Sequence, residues 1–301
     1  MRIEEKDFRR KNKRNVIRLK HIPIETEEGN MEFPLLKFPL LEECGMVDHC
    51  FTTRGGGVSE GIFESLNLSF TRGDEESFVQ KNYDRLAAAL HVEKEAFVCS
   101  DQTHTTNVLR VGRKDCGNGL TRPKAYRDVD GLITNEPKVV LSTFFADCVP
   151  LYFVDPVHKA IGLSHSGWRG TVGRMGEKTL WKMKEEFQTN AKDVLAAIGP
   201  SICQECYEIS GDVAKEFAKE FKGHEREILS SFSEETDMAD TDKFHLDLWK
   251  CNEIVLTEAG ILPQHLAVTN VCTCCNANVL FSHRASQGKR GNLGAFLYIR
   301  E

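Results

Sequence analysis

The sequence predicts a single α/β domain built on a mixed or antiparallel sheet. Short apolar runs bounded by Pro, Gly and polar residues recur along the 301-residue chain and indicate strands. Longer segments with apolar residues at helical spacing indicate amphipathic helices. Strands and helices do not alternate strictly, as a doubly wound parallel sheet would require, so we expect a different α/β architecture.

The first half of the chain is predicted to be rich in strands. Two strands are expected within 16–41, where Pro marks turns or edges. Apolar residues at helical spacing over 76–92 predict one amphipathic helix. Strand character returns at 96–111 and again over 128–170, which places several strands close together in the middle of the sequence.

Helices dominate the prediction after residue 170. Apolar side chains recur at helical spacing in 171–188, directly after a Gly-Trp-Arg-Gly turn. That turn is therefore expected to lead from a strand into a helix N-terminus, a location that favours anions. The remaining predicted elements are, in order, strand 194–199, helix 211–221, acidic loop 230–242, helix 244–261, strand 265–274 and a basic loop with a closing strand, 281–299.

Domain organisation and bulk charge restrict the class of protein. No repeat or linker divides the chain, so we expect one domain over 16–301 and a charged, frayed extension over 1–15. The formal net charge of -6 gives no basic field for nucleic acid or an anionic membrane. The N-terminus lacks the apolar core of a signal peptide, and no run of about 18 apolar residues follows, so we expect a cytoplasmic protein.

Eleven cysteines are a high count for a chain of this kind. Without an export signal we expect reduced thiols rather than a disulfide framework. Two groups stand out, Cys203/Cys206 and Cys272/Cys274/Cys275. A four-cysteine zinc site would have to combine both groups, and plain buried or partly exposed thiols are the favoured interpretation.

Three residues at predicted strand ends could bind a metal together: His104, Cys148 and His165. Taken singly, each has a simpler interpretation: a surface histidine, a buried thiol and a satisfied core histidine. Taken jointly, two imidazoles and one thiolate give zinc three protein ligands and leave a fourth position open, as in catalytic zinc sites. Asp147 is either a strand-end cap or a proton carrier beside the metal.

Three arginines are candidates for binding phosphate or substrate: Arg54, Arg169 and Arg284. Arg54 precedes three consecutive glycines, whose backbone freedom allows a close approach to a ligand. Arginines in such loops can hold a phosphate or carboxylate with bidentate geometry, although a single Arg is most often a solvated surface group. The glycine loop matches neither the Rossmann nor the Walker phosphate-binding template, so ATP and NAD are not supported.

A set of short motifs occurs in a fixed order along the chain. The motifs are Phe51-Thr-Thr-Arg-Gly-Gly-Gly-Val-Ser59, Asn67-Leu68, Gln102-Thr-His104, Ala146-Asp-Cys148, His165-Ser-Gly-Trp-Arg-Gly170, Ile198-Gly-Pro-Ser-Ile-Cys203 and Cys272-Thr273 with Phe281-Ser282. This ordered set resembles the laccase-domain, or YfiH-type, family of multicopper polyphenol oxidases. The resemblance covers roughly residues 35 to 300, and its specificity lies in the order of the motifs. The chain differs from the usual family pattern at Thr105 and in the basic loop 284–292.

The resemblance implies a layered αββα fold and a single catalytic domain over 16–301. It implies zinc held by His104, Cys148 and His165, with copper less favoured. It also implies a purine nucleoside phosphorylase that acts on adenosine, inosine and methylthioadenosine with phosphate, and that also deaminates adenosine. Purine nucleosides and phosphate would be the partners of a monomer or weak homodimer.

Three alternative functions use the same residues differently. A copper phenol oxidase would need several metal centres, yet the ten histidines include no His-x-His pair. A Cys-His hydrolase would use Cys148 as nucleophile and His165 as base. A non-enzymatic binding module would use zinc only to stabilise its fold.

Overall fold

The computed structural model describes residues 2–230 and 242–300, and these residues form two six-stranded sheets packed face to face. The acidic loop predicted at 230–242 lies almost entirely outside the described residues. The strands are β1 (Arg18–Thr26), β2 (Gly29–Lys37), β3 (Val47–Thr52), β4 (Phe97–Cys99), β5 (Val108–Arg110), β6 (Gly131–Thr134), β7 (Val140–Phe145), β8 (Val149–Asp155), β9 (Ala160–Ser166), β10 (Leu195–Ile198), β11 (Glu208–Ser210), β12 (Lys243–His245), β13 (Leu266–Val268) and β14 (Leu293–Ile299). The α-helices are α1 (Pro39–Glu43), α2 (Glu76–Leu90), α3 (Trp168–Val172), α4 (Met175–Phe187), α5 (Gly211–Glu220), α6 (Glu225–Ile228), α7 (Leu248–Glu258) and α8 (His283–Ser286).

Both large sheets are mixed, as the sequence predicts. The first sheet has the strand order β1-β2-β3-β14-β7-β4, and the second has the order β13-β10-β8-β9-β6-β5. Neighbouring strands are antiparallel except for the parallel pairs β4 with β7, β10 with β13 and β5 with β6. A third, small sheet pairs β11 with β12.

Helices cover the outer faces of the two sheets and complete the layered αββα fold. Helix α2 buries Val79, Tyr83 and Leu86 against the first sheet, which confirms the helix predicted over 76–92. Helices α4 and α7 bury apolar residues against the second sheet. Every residue of β8 and β9 is buried, because these central strands are covered on one face by helices and on the other by the opposite sheet.

The chain crosses from one sheet to the other between β7 and β8. Phe145 ends a strand of the first sheet, and Val149 begins a strand of the second. Asp147 lies in this crossing with φ +86°, in the left-handed region that residues other than glycine rarely adopt. The interface is apolar with a few polar ties, such as the 2.9 Å hydrogen bond from the Tyr152 hydroxyl to the Cys50 carbonyl oxygen.

The N-terminal segment packs against the domain, which differs from the frayed extension predicted over 1–15. Ile3 and Phe8 are buried in the core between the sheets. The amide of Arg9 donates to the Asn276 side chain at 2.6 Å, and the amide of Lys11 donates to the Asn270 carbonyl oxygen at 2.8 Å. Although most residues of this segment are charged, its two apolar residues Ile3 and Phe8 are buried in the domain.

Within residues 2–230 and 242–300, no helix combines the length and apolar character needed to cross a membrane.

Candidate metal centre and its cavity

The structure brings His104, Cys148 and His165 together at one end of the interface between the sheets. His104 lies in the loop after β4, Cys148 in the crossing between β7 and β8, and His165 near the end of β9. One ligand atom from each side chain lies within 4.8 Å of the other two. The cluster is therefore formed by two connections that lead from the first sheet to the second and by one strand of the second sheet.

Asp130 orients His165 within this cluster. Its fully buried carboxylate lies 2.8 Å from His165 Nδ1, which leaves Nε2 as the ring nitrogen available to a metal. The same carboxylate accepts the backbone N–H groups of Thr103, His104 and Thr105 at 2.9–3.1 Å. Burial alone would raise the pKa of Asp130, but the hydrogen bond with His165 and these amides lower it.

The backbone around His104 is shaped for close approach to the other two side chains. His104 itself has φ +66°, and its ring lies edge-on to the His165 ring with centroids 5.0 Å apart. Gly167 packs against the cluster from the turn after β9. A Cβ atom at Gly167 would lie 2.9 Å from His104 Cδ2 and 3.2 Å from Cys148 Sγ, so this position has no room for a side chain.

The electrostatics of the cluster favour a thiolate beside an imidazolium in the metal-free protein. Burial raises the pKa of Cys148, but the charge of His165 and hydrogen bonds from His104 and His165 outweigh it and lower the pKa to about 6. Burial lowers the pKa of His165, but Cys148 and Asp130 raise it to about 9. A deprotonated thiol is the form that binds metals.

The donor set suits a borderline-soft divalent metal. One thiolate and two imidazoles are typical ligands of zinc and of several other transition metals. A carboxylate behind one of the imidazoles is the usual arrangement for a histidine that binds a metal. The three residues thus fit a metal with one position left open towards the adjacent cavity.

A cavity of about 380 Å³ adjoins the cluster, and His104, Cys148 and His165 form part of its wall. Its size is within the usual range for small-ligand pockets. Cationic, aromatic and amide side chains also line this cavity, among them Arg72, Lys124, Arg290, Phe70, Phe144 and Gln102. Gln102 is fixed by two 2.7 Å hydrogen bonds with the backbone of Phe144.

Arg290 is the most enclosed cation of this cavity wall. It is only 7% exposed, and its Nε has no hydrogen-bond partner among the described residues. One of its terminal nitrogens donates to the Asn292 side chain. Burial, with repulsion from Arg72, lowers the pKa of Arg290 to about 10. Arg290 lines the cavity, and a buried guanidinium at a cavity wall is suited to an anionic ligand.

The three arginines predicted to bind phosphate lie elsewhere. Among the described residues that line the cavity there is none of Arg54, Arg169 and Arg284. Arg54 donates to the carbonyl oxygens of Glu64 at 2.6 Å and Ala277 at 2.9 Å, and it stacks over Phe281. The glycine loop serves chain packing, because a Cβ atom at Gly57 would lie 2.1 Å from the Ser65 carbonyl oxygen.

The other two arginines are also engaged with the protein itself. The guanidinium of Arg169 lies 4.2 Å from the centroid of the Trp168 ring. The guanidinium of Arg284 donates to the carbonyl oxygens of Cys206 at 3.3 Å and Glu208 at 2.8 Å. In each case the guanidinium contacts an aromatic ring or backbone carbonyl oxygens of the protein. The sequence alone does not show whether an arginine contacts such groups or a bound anion.

Asp147 is placed as an anchor. Its carboxylate accepts the Thr273 hydroxyl at 2.6 Å, the Ser282 hydroxyl at 3.1 Å and the Arg284 amide at 2.7 Å. Its neighbours Ala146 and Cys148 line the cavity, but Asp147 does not. Of the two interpretations offered by the sequence, these contacts favour the cap over the proton carrier.

Sequence reasoning missed Asp130 and the basic residues of the cavity wall. The only sequence signal for Asp130 is its position just before β6, where an acidic residue is ordinarily a turn residue. Arg290 lies in the C-terminal basic loop that departs from the family pattern. Arg72 and Lys124 come from loops without distinctive spacing.

Comparison with known proteins places the chain in a family. The sequence profile described as multi-copper polyphenol oxidoreductase laccase matches residues 48–300. The chain is 34% identical over 252 residues to purine nucleoside phosphorylase YlmD of Bacillus subtilis, which covers 83% of this chain and 88% of that protein. It is 35% identical over 268 residues to a purine nucleoside phosphorylase of Bacteroides thetaiotaomicron, which covers 89% and 97% of the two chains.

A solved structure shares the fold. The crystal structure of YlmD from Geobacillus stearothermophilus matches with a TM-score of 0.78 and 33% identity, covering 89% of this chain and 96% of that one. The profile match, the two relatives and the shared fold agree with the ordered motifs around the metal cluster. The chain therefore belongs to the multi-copper polyphenol oxidoreductase laccase family.

Proposed function

We propose that this chain is a zinc-dependent purine nucleoside phosphorylase that also deaminates adenosine. The observation that carries the proposal is that the His104, Cys148 and His165 cluster and the buried guanidinium of Arg290 face the same cavity. The relatives named purine nucleoside phosphorylase support the first activity. Adenosine, inosine and methylthioadenosine are the proposed nucleosides.

We propose that His104, Cys148 and His165 bind one zinc ion. When bound, zinc would supply a Lewis acid and lower the pKa of a coordinated water. The part played by the protein is to hold the ligands in place. Asp130 fixes the His165 ring through Nδ1 and fixes the His104 backbone through its amide, so one carboxylate supports two of the three ligands.

Phosphate is proposed to bind at the cationic wall made by Arg72, Lys124 and Arg290. In phosphorolysis a phosphate oxygen forms a bond to C1′ of the ribose while the bond from C1′ to the purine nitrogen breaks. The purine leaves with the electron pair of that bond and takes up a proton, and ribose 1-phosphate is released. Charge-assisted hydrogen bonds from Arg290 would orient the anion for this attack.

The base is proposed to lie against the aromatic residues Phe70 and Phe144 of the same cavity. Flat apolar side chains suit a purine ring, and the cavity volume of about 380 Å³ is sufficient for a small ligand. In the deamination a water replaces the amino group at C6 of adenine, and ammonia leaves. Both reactions would use one cavity and one metal cluster.

Incubation with adenosine tests the proposal directly. With phosphate we expect adenine and ribose 1-phosphate in addition to inosine and ammonia, and without phosphate we expect only inosine and ammonia. Liquid chromatography of timed samples separates adenine and inosine from adenosine. A zinc-loaded protein that forms none of these products, and that also leaves inosine and methylthioadenosine with phosphate unchanged, would contradict the proposal.

Metal analysis of variants tests the role of the cluster. Cys148→Ala and His165→Ala should each lose zinc from the cluster together with both activities. Cys116→Ser, which changes a partly buried thiol outside the cluster, is the matched control and should keep the metal and the activities. Unchanged zinc content in both cluster variants would show that zinc binds elsewhere.

One observation favours a second candidate, a Cys-His hydrolase. A ring nitrogen of His165 lies within 4.8 Å of Cys148 Sγ, so the imidazole is close enough to serve as a base for the thiol after a small movement. A hydrolase of this kind would keep its activity after zinc is removed with a chelator, whereas the proposed phosphorylase would lose it. A copper phenol oxidase would instead contain copper and oxidise phenols, and a binding module would unfold on metal removal without having turned over any nucleoside.

A further inference from the structure

We propose that Cys203, Cys206, Cys272 and Cys275 form a second, structural zinc site. The sequence favours unligated thiols at these positions, but the structure brings all four sulfur atoms within 4.8 Å of one another. The two pairs come from distant parts of the chain, the turn before β11 and the turn after β13. Their convergence is what a structural zinc site requires and what the spacing alone could not show.

The distances between sulfur atoms match ligands around one ion. Cys206 Sγ lies 3.5 Å and Cys203 Sγ 3.9 Å from Cys275 Sγ. A disulfide would need about 2.05 Å. Four sulfurs at ~2.3 Å from a tetrahedral zinc are about 3.8 Å apart, so these two separations bracket the expected value.

Two backbone amides already point at one of the four sulfur atoms. The amide of Cys275 donates to Cys272 Sγ at 3.4 Å, within the same Cys-x-x-Cys turn. The amide of Cys203 donates to the same sulfur from the other turn at 3.2 Å. Hydrogen bonds of this kind orient metal ligands and stabilise thiolates.

A cation lies beside the cluster and would offset its charge. Four thiolates around Zn²⁺ carry a net charge of -2. The ammonium group of Lys11 interacts with Cys203 and lies 3.1 Å from Glu205 in the first Cys-x-x-Cys turn. The charged N-terminal segment is thus brought to the place where a tetrathiolate zinc would need a positive partner.

The site would stabilise the loops that support the catalytic cluster rather than take part in the chemistry. Four protein ligands leave no position open for a substrate. Thr273, between two of the cysteines, donates to Asp147, which directly precedes Cys148. Arg284, whose amide also donates to Asp147, is tied to the Cys206 carbonyl oxygen. Zinc bound by the four cysteines would therefore hold the loops on which the Asp147 anchor depends.

Zinc stoichiometry of the full chain tests the site. Untagged protein purified in zinc-containing, chelator-free buffer should contain two zinc ions per chain by mass spectrometry. The double variant Cys203→Ser/Cys275→Ser should contain one, and Cys148→Ala should also contain one. Cys274→Ser is the matched control, because this thiol lies in the same turn but outside the four-sulfur group, and it should keep two.

Cobalt substitution gives a readout that does not depend on folding of the double variant. Cys148→Ala refolded or exchanged with Co²⁺ should show the intense visible absorption of a tetrahedral cobalt bound by several thiolates, since its catalytic cluster lacks a thiolate. Absence of this absorption would overturn the proposal. A zinc content in the double cysteine variant equal to that of the wild type would overturn it as well. Because these readouts concern the four-sulfur site alone, they stand apart from any failure to phosphorolyse nucleosides.

Discussion

The carboxylate of Asp130 lies 2.8 Å from His165 Nδ1 and accepts the His104 amide at 3.1 Å through the same oxygen. This one oxygen therefore contacts both histidines of the cluster. The second oxygen accepts the amides of Thr103 and Thr105, which fixes the loop on either side of His104. Support of this kind determines how well metal ligands are oriented before the metal arrives.

Replacing Asp130 should weaken metal binding more than it weakens the fold. Asp130→Asn keeps the shape but loses the charge and two acceptor sites, and loss of such support typically lowers metal affinity by about 10–100-fold. Competition with a chromophoric chelator measures the affinity. Asp128→Asn is the control, since that exposed carboxylate contacts the Thr103 hydroxyl in the same loop and does not touch either histidine. Equal affinities for the two variants would contradict the role assigned to Asp130.

A methyl group at Gly167 should displace the ligands without unfolding the protein. Gly167 has φ -73°, which alanine adopts readily, but its Cβ would lie 2.9 Å from His104 and 3.2 Å from Cys148. We expect Gly167→Ala to lose at least about tenfold in zinc affinity. Gly170→Ala, in the same turn, places its Cβ no closer than 3.5 Å to any neighbour and should bind zinc as the wild type does. Similar affinities for both variants would show that the cluster can relax around the added group.

Arg290 and Arg54 make opposite predictions for phosphate. Removing the guanidinium that faces the cavity in Arg290→Met should raise the KM for phosphate about tenfold or more, as expected for a charge-assisted hydrogen bond. Arg54→Met should leave that KM unchanged in the folded fraction, because Arg54 is committed to two carbonyl oxygens away from the cavity. Initial rates at varied phosphate and saturating inosine measure both values. A raised KM in Arg54→Met alone would return the phosphate site to the glycine loop.

Removing the Asp147 carboxylate should cost stability. Asp147→Ala leaves the Thr273 and Ser282 hydroxyls and the Arg284 amide without their acceptor, and we expect a loss on the order of 3 kcal/mol in the free energy of unfolding. Urea denaturation measures this loss. Asp84 lies on α2 and its exposed carboxylate pairs with Lys94. Asp84→Ala should change stability by less than about 1 kcal/mol. A small effect for both would remove the argument that Asp147 anchors the crossing between the sheets.

His49 should make the protein acid-sensitive. Its Nε2 accepts the Phe38 amide at 2.8 Å, so the buried ring is held neutral. Burial, with the nearby Lys37 opposing the weaker effect of Asp48, lowers its pKa from 6.5 to about 3. Because the unfolded chain binds the proton first, the stability from this group is complete above about pH 6.5 and is lost as the pH falls towards 3.

Comparison of pH 7.5 with pH 5 isolates this contribution. The wild type should lose about 2 kcal/mol more than His49→Gln between these values, since about 1.5 of these pH units, from 6.5 down to 5, lie between the two pKa values. Urea denaturation at both values gives the four free energies needed. His91→Gln, at the exposed end of α2, controls for loss of a histidine and should follow the wild type. Parallel curves for wild type and His49→Gln would contradict a neutral His49.

The sequence was sufficient for the elements but not for their assignment to sheets. The helix over 76–92 was predictable because apolar spacing depends only on local sequence. Strands β7 and β8 carry the same apolar signal, yet they lie in different sheets. What separates them is the left-handed backbone at Asp147, and a backbone angle at a non-glycine residue leaves no mark in composition.

Residues that act through contacts distant in sequence were the hardest to predict. His104, Cys148 and His165 were selected because their chemistry is distinctive, and the fold brought them together. The phosphate role of Arg54, Arg169 and Arg284 stays a prediction, because a guanidinium binds a carbonyl oxygen as readily as a phosphate and only the fold decides which is near. The cysteine pairs present the same problem, since two turns far apart in the chain must meet before a four-ligand site exists.

The crossing from Phe145 to Val149 connects the candidate metal centre to both sheets. Cys148 and His104 both lie in connections that leave the first sheet and enter the second, and His165 lies in β9 of the second sheet. An ion bound by all three residues would link the two sheets to each other. A change in the distance between the sheets would then change the coordination of the ion. Substitutions in the core far from the cavity should therefore alter the affinity for the metal.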